Sequence, residues 1–181
     1  LFSADNGTAK QSGSLGGRPV NGHKGTMLEG GAHVPLIANW KGVTPGGKVL
    51  KDLVDFSDLF PTFVELAGTT LPAGVKFDGR SFAPQLRGLT GHSRDWIYVQ
   101  LGAKWYVRNA GWKLNQGGEL FDLSDAPFVE KTVAIAGQTE AAKAARQQLQ
   151  TDLNELNPAA GKNSSGDQGK AAKKAKRSIK R

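Results

Sequence analysis

Apolar and polar positions change their period several times along this chain, and each change predicts a different element. Leu1–Ala4 is a short apolar run that reads as the end of a buried strand. Thr8–Asn21 is rich in Gly, Ser and polar residues and has no period, which predicts a loop long enough to border a site. His33–Trp40 is apolar again, of strand length with β-branched members, and reads as a buried strand whose start or bulge is marked by Pro35. Trp40–Gly47 then reads as a turn. From Ser57 the apolar residues recur at helical spacing up to Ala67, with Ser57 or Asp58 as cap, Pro61 in the first turn and Gly68 as stop.

The period shortens after Asp95. Trp96–Leu101, Lys104–Asn109, Trp112–Asn115 and Glu119–Leu123 are brief alternating segments separated by Gly-Ala, Ala-Gly and Gly-Gly turns, the signature of an antiparallel meander. Trp105, Tyr106 and Trp112 read as packing residues of that sheet. Thr139–Leu156 returns to a helical period, with Leu149, Leu153 and Leu156 on one face, so an amphipathic helix packs on the meander until Asn157-Pro158.

The 181 residues suffice for a real core. A chain opening at Leu1, already inside a strand, reads as a piece of a longer protein. The net charge of +8 suggests a polyanion partner until it is divided: residues 158–181 hold eight Lys/Arg and one Asp, leaving +1 for residues 1–157. That tail, almost without large apolar side chains, is expected to be disordered, and a nucleic-acid partner is not expected. The lack of cysteine excludes disulfides and thiolate-bound metals. No run has the roughly 18 apolar residues of a membrane span.

Candidate chemistry gathers near the amino end. Gly22–Gly31 surrounds one imidazole, His23, one cation, Lys24, and one carboxylate, Glu29, with glycines that permit positive φ and close approach to an anion. A surface turn with a solvated lysine has the same composition. Glu29 reads as a brace for the loop, held by backbone N–H groups or a nearby base. Asp5-Asn6, after the first strand, offers two hard oxygen donors of the kind Ca²⁺ or Mg²⁺ takes, or an Asx turn closed by Gly7. Arg18, His92 and Arg94 read as solvated loop residues.

Ser3-Ala4-Asp5-Asn6-Gly7, Gly22-His23-Lys24-Gly25 through Glu29-Gly30-Gly31, and Asp58-Leu59-Phe60-Pro61-Thr62 stand in the order found in sulfatases of the alkaline phosphatase superfamily, and the chain resembles their carboxyl-terminal portion. Phe77-Asp78-Gly79-Arg80-Ser81, introducing a short helix, and the Trp112-Lys113-Leu114 and Glu119–Leu123 stretches extend the resemblance. His33 departs from the arginine of the family pattern, and Lys41 from its proline. The resemblance implies an α/β fold: part of a central mixed sheet flanked by helices over residues 1–94, then a small four-stranded antiparallel sheet packed with a C-terminal helix over 95–157. It assigns Asp5 and Asn6 to a Ca²⁺ site (Mg²⁺ as alternative), Lys24 to the sulfate group and leaving oxygen, and His23 to the substrate rim. It also implies a formylglycine nucleophile outside this chain, a sulfated small molecule or polysaccharide as substrate, and a periplasmic or secreted location. A phosphodiesterase or phosphonate hydrolase on the same scaffold is the alternative, as is a non-catalytic fragment binding polyanions through 158–181.

Overall fold

A computed structural model of the protein describes residues 1–9, 12–156 and 158. The basic tail expected at 158–181 lies, beyond Pro158, outside the described residues.

The alternating segments form a sheet of five strands rather than four: β5 (Ile97–Leu101), β6 (Lys104–Arg108), β7 (Trp112–Asn115), β8 (Leu120–Asp125) and β9 (Val129–Val133), each antiparallel to its neighbour in chain order. Elements β1–β4 lie upstream. The fifth strand, Val-Glu-Lys-Thr-Val, carries a charge where its face should be apolar, so its alternation was not legible. Registers Val107↔Leu114, Leu114↔Leu120 and Leu120↔Val133 place these four side chains on one face. Helix α4 (Glu140–Leu156) covers that face with Ala142, Ala145, Leu149 and Leu153, and Trp96, Tyr98, Trp105 and Trp112 pack around the cluster. Thr139 caps α4, its Oγ1 accepting the Ala142 N–H at 3.2 Å.

The opposite face of the sheet is polar. Strand periodicity puts Tyr106, Arg108, Lys113, Phe121 and Glu130 there, with Arg108↔Lys113 and Lys113↔Phe121 directly paired. Against this face lies the segment around Glu29.

The amino-terminal half has little regular structure. β1 (Phe2–Ser3) pairs antiparallel with β4 (Leu36–Ile37) in a two-stranded ribbon, which is as much of the expected central sheet as the described residues hold. Phe2 and Ile37 are 63% and 58% exposed, contrary to a buried strand, because no described element covers either side of the ribbon. The remainder of the apolar run 33–40 is not strand: residues 33–35 follow a one-turn helix, α1 (Glu29–Ala32), as irregular chain, and residues after Ile37 lead into the expected turn at Trp40. Thr8–Asn21, expected as loop, contains a hairpin of β2 (Ser12–Leu15) and β3 (Arg18–Asn21), closed by Gly16-Gly17 at φ 58° and 79°. Such a Gly pair suits a primed turn, but strands exposed almost throughout carry no apolar alternation to announce them.

The helix at 57–68 is present as a 3₁₀ turn (Phe56–Asp58) leading into α2 (Leu59–Leu66), with Gly68 at φ 67° ending it. Its cap is Asp55 rather than Ser57 or Asp58: the Asp55 carboxylate accepts the Ser57 N–H at 2.9 Å, and Asp58 reciprocates by accepting the Asp55 N–H at 2.8 Å. The short helix after Asp78-Gly79 is α3 (Ala83–Leu86). Among the described residues, no helix is long and apolar enough to cross a membrane.

Candidate functional site

Backbone hydrogen bonds lace the two candidate motifs together. The Gly7 N–H donates to the Gly31 carbonyl at 3.0 Å, the Lys24 N–H to the Thr8 carbonyl at 3.0 Å, and the His23 N–H to the Gly30 carbonyl at 3.1 Å. Asp5-Asn6 and His23-Lys24 therefore sit on neighbouring stretches, although sixteen residues lie between them in sequence. Within the loop, the Thr26 N–H and Oγ1–H both donate to the His23 carbonyl, at 3.0 and 2.8 Å.

The glycines serve this lacing. Of the loop's glycines only Gly25 takes positive φ, at 80°. A Cβ on Gly31 would stand 2.5 Å from the His23 carbonyl oxygen and 2.8 Å from that of Thr26, and one on Gly30 would stand 2.6 Å from the Asn21 oxygen. The close approach read as access for an anion is, at Gly30 and Gly31, close approach of backbone to backbone.

Lys24 and Asp5 are exposed, and His23 and Asn6 half-buried. None of the four has a side-chain hydrogen bond to another described residue, so their polar atoms stay available to a ligand. Asp5 and Asn6 supply hard oxygens suited to Ca²⁺ or Mg²⁺, but two residues cannot fill a shell of about six to eight oxygens. No cluster of three or more His, Cys, Asp or Glu exists among the described residues, so the pair fits such an ion only as part of its ligand set.

Beneath the loop is a set of charges that the sequence reading missed. The buried Glu29 carboxylate pairs with Arg108 of β6 and, at 3.0 Å, with His33 one turn onward. Its other oxygen is buried with no partner among the described residues. Burial opposes ionisation of Glu29, but the His33 and Arg108 contacts prevail and hold its carboxyl below the ordinary value. The Glu29 N–H donates to Glu130 Oε1 at 2.6 Å, and Glu130 Oε2 pairs with Lys113. Lys113 Nζ also donates to the Met27 carbonyl at 3.1 Å and lies 5.0 and 4.9 Å from the ring centres of Tyr106 and Phe121. Burial pushes the Lys113 ammonium down to about 8, against the carboxylates around it, and pushes the Tyr106 hydroxyl up. The expected brace role of Glu29 is thus present, with His33 and Arg108 as its partners. A lysine between Trp112 and Leu114, at a strand-interior position, was the available sign of this cluster.

Two other arginines expected to be solvated are engaged. Arg18 grips Asp125 with both guanidinium nitrogens, at 2.6 and 3.0 Å, and stacks 3.8 Å from the Phe128 ring centre, tying the hairpin to the end of β8. Arg94 is buried against Asp58, with further bonds to Ser57 Oγ and the Asp78 carbonyl, both at 2.8 Å. A cleft of about 410 Å³ between Trp96 and α4, lined by Asp95 and Asp152, contains none of the predicted site residues.

No protein-family model matches the chain. It is 35% identical over 95 residues to arylsulfatase D of Homo sapiens, an alignment covering 48% of this chain and 16% of that protein. It is 42% identical over 73 residues to arylsulfatase G of Mus musculus, covering 40% and 13%. With N-acetylgalactosamine-6-sulfatase of Canis lupus familiaris the identity is 39% over 93 residues, covering 49% and 17%. The matches thus span less than one-fifth of these relatives' own length. Among solved structures, a 2-O GAG sulfatase matches with a TM-score of 0.63 and 24% identity, over 82% of this chain and 35% of that one. A protein solved in complex with its substrate D-glucosamine-2-N,6-O-disulfate matches with a TM-score of 0.55 and 19% identity, over 73% and 30%. These named relatives favour a sulfatase over a phosphate-ester hydrolase or a polyanion-binding fragment. Over about half its length the chain is similar in sequence to a portion of the sulfatases, and over about four-fifths it shares their fold.

Proposed function

We propose that this chain forms one wall of the active site of a sulfuric ester hydrolase, acting on a sulfated small molecule or polysaccharide in a periplasmic or extracellular setting. The observation that supports the reading is the backbone lacing of Gly7-Thr8 to Lys24 and Gly31, which brings the stretch bearing Asp5 and Asn6 next to the one bearing Lys24, whose ammonium has no side-chain partner among the described residues. In this reading Asp5 and Asn6 are two of the ligands of a Ca²⁺ ion, or Mg²⁺, completed by residues outside this chain. When bound, that ion polarises the sulfate oxygens and orients the nucleophile, a formylglycine also supplied from outside the 181 residues.

Lys24 has the central task. Its ammonium, a compact charge with three donors, binds a sulfate oxygen and donates to the bridging ester oxygen, where negative charge grows as the S–O bond breaks. His23 lines the substrate rim. The 181 residues alone are expected to be inactive.

The test is turnover of an aryl sulfate by the protein that carries this chain. Lys24→Ala should lower kcat/KM by roughly 10²–10³-fold, the cost of removing a group that stabilises transition-state charge. Asp5→Ala should reduce bound calcium measured by elemental analysis. Undiminished turnover would reject the role of Lys24, and faster turnover of the matching aryl phosphate would move the reading to phosphate-ester chemistry.

A further inference from the structure

The four buried charges under the loop raise a question that stability does not answer. Glu29 is 2% exposed, and the side chains of Lys113, Glu130 and Arg108 are 3%, 6% and 12% exposed. Withdrawing such ions from water costs about as much as their mutual attraction returns, so pairs like these are often replaceable by apolar side chains with no loss of stability. They do fix geometry, because each bond is directional and leaving one made wrongly is costly. Three adjacent contacts fall on one short piece of the loop: Lys113 on the Met27 carbonyl, Glu130 on the Glu29 N–H, and Arg108 on the Glu29 carboxylate. That piece begins three residues after Lys24, and Thr26 ties it back to the His23 carbonyl.

We propose that Lys113 and Glu130, with Arg108, are positioning residues: the polar face of the five-stranded sheet sets where Lys24 stands by holding Met27–Glu29 in place. The proposal rests on the reading of Lys24 as the sulfate-binding lysine for its catalytic consequence, but not for its structural one. The sheet is thereby more than a closing subdomain. Its α4 face supplies the core, and its other face supplies the register of the loop that carries the reacting cation. Lys113 and Glu130 act on the backbone of the loop, and Arg108 acts on the Glu29 carboxylate.

The decisive variant removes a pair without stranding a charge: Lys113→Met with Glu130→Leu. Single variants such as Glu130→Gln leave a buried ammonium short of its partner and can fail through folding alone. Amide hydrogen exchange and thermal unfolding are measured on the chain, and kcat and KM for an aryl sulfate on the protein that carries it. The proposal expects a Tm close to that of the parent, unchanged protection across β5–β8, and exchange at Lys24, Thr26 and Gly31 faster by about tenfold or more. It expects kcat/KM to fall on the order of 10²-fold, as for a catalytic group held loosely. Unchanged exchange at those three amides would overturn the proposal. Faster exchange throughout the sheet would overturn it too, since the pair would then be an ordinary stabilising element. If exchange loosens as expected while Lys24→Ala leaves turnover intact, the positioning stands and the sulfatase reading of Lys24 falls.

Discussion

Glu29 illustrates how much one residue's surroundings decide. Its sequence setting, before Gly30-Gly31, suggested a brace and left the partner open; one partner, His33, is local, and the other, Arg108, lies 79 positions away and could come only from the tertiary fold. The same holds for the glycines, whose presence was plain and whose purpose depended on what the folded backbone brings beside them. Glu29 also predicts an acid response. His33 and Arg108 contact its carboxylate, and its folded pKa lies below the ordinary 4.5. A depressed carboxyl pKa contributes stability that is complete above the unfolded value and is lost as pH falls through the folded one. Thermal unfolding of the parent and of Glu29→Gln should therefore differ by a constant amount at neutral pH. The gap should narrow once pH drops below about 4.5, where the unfolded chain's carboxylate begins to take up a proton that the folded one still excludes. A gap that persists unchanged well into the acid range would show that Glu29 contributes through shape and not through charge.

At the scale of elements, what was legible followed periodicity. α4 and strands β5–β8 announced themselves because apolar residues at regular spacing face one shared core, whereas β9 and the β2–β3 hairpin did not, having charged or exposed positions where the pattern needs apolar ones. The entry to α2 shows a second kind of blindness. Asp58 was visible as a capping residue, but its ion pair with Arg94 required a chain reversal that no local signal encodes. That pair is 3% and 9% exposed, and Asp58 also accepts the Arg80 N–H at 2.6 Å, so one carboxylate organises the α2 entry, the 78–81 turn and the approach to β5. Arg94→Ala would leave Asp58 charged and buried without its guanidinium. The expected loss is about 3–5 kcal/mol in denaturant unfolding, far above the cost for a solvated linker arginine. Arg94→Lys should recover only part of it, since an ammonium cannot reproduce the fork that also reaches Ser57 and Asp78. A loss below about 1 kcal/mol would place the pair with ordinary surface ion pairs.

The whole molecule joins a regular sheet-and-helix unit to an amino-terminal half held mostly by turns, and the join is electrostatic. Arg18 on Asp125 is half exposed at the arginine and open to screening, so its contribution is small; the buried quartet around Glu29 is sheltered from salt. A boundary drawn at residue 94 from sequence divides the chain where its pattern changes, and the contacts run straight across it. The loop should then be ordered only while the sheet is. Met27, the one methionine in the chain, reports on the loop through its methyl resonance, while in a Trp40→Phe background the remaining tryptophans, Trp96, Trp105 and Trp112, report on the sheet by fluorescence. If the quartet couples the two, both signals are lost at the same denaturant concentration, with coincident transitions as in a single cooperative unit. Salt added to about 0.5 M should shift the shared midpoint little, since buried pairs are weakly screened. Earlier loss of the Met27 signal would mean that the loop opens on its own, and that Lys24 is held by the Gly7–Gly31 lacing rather than by the sheet below it.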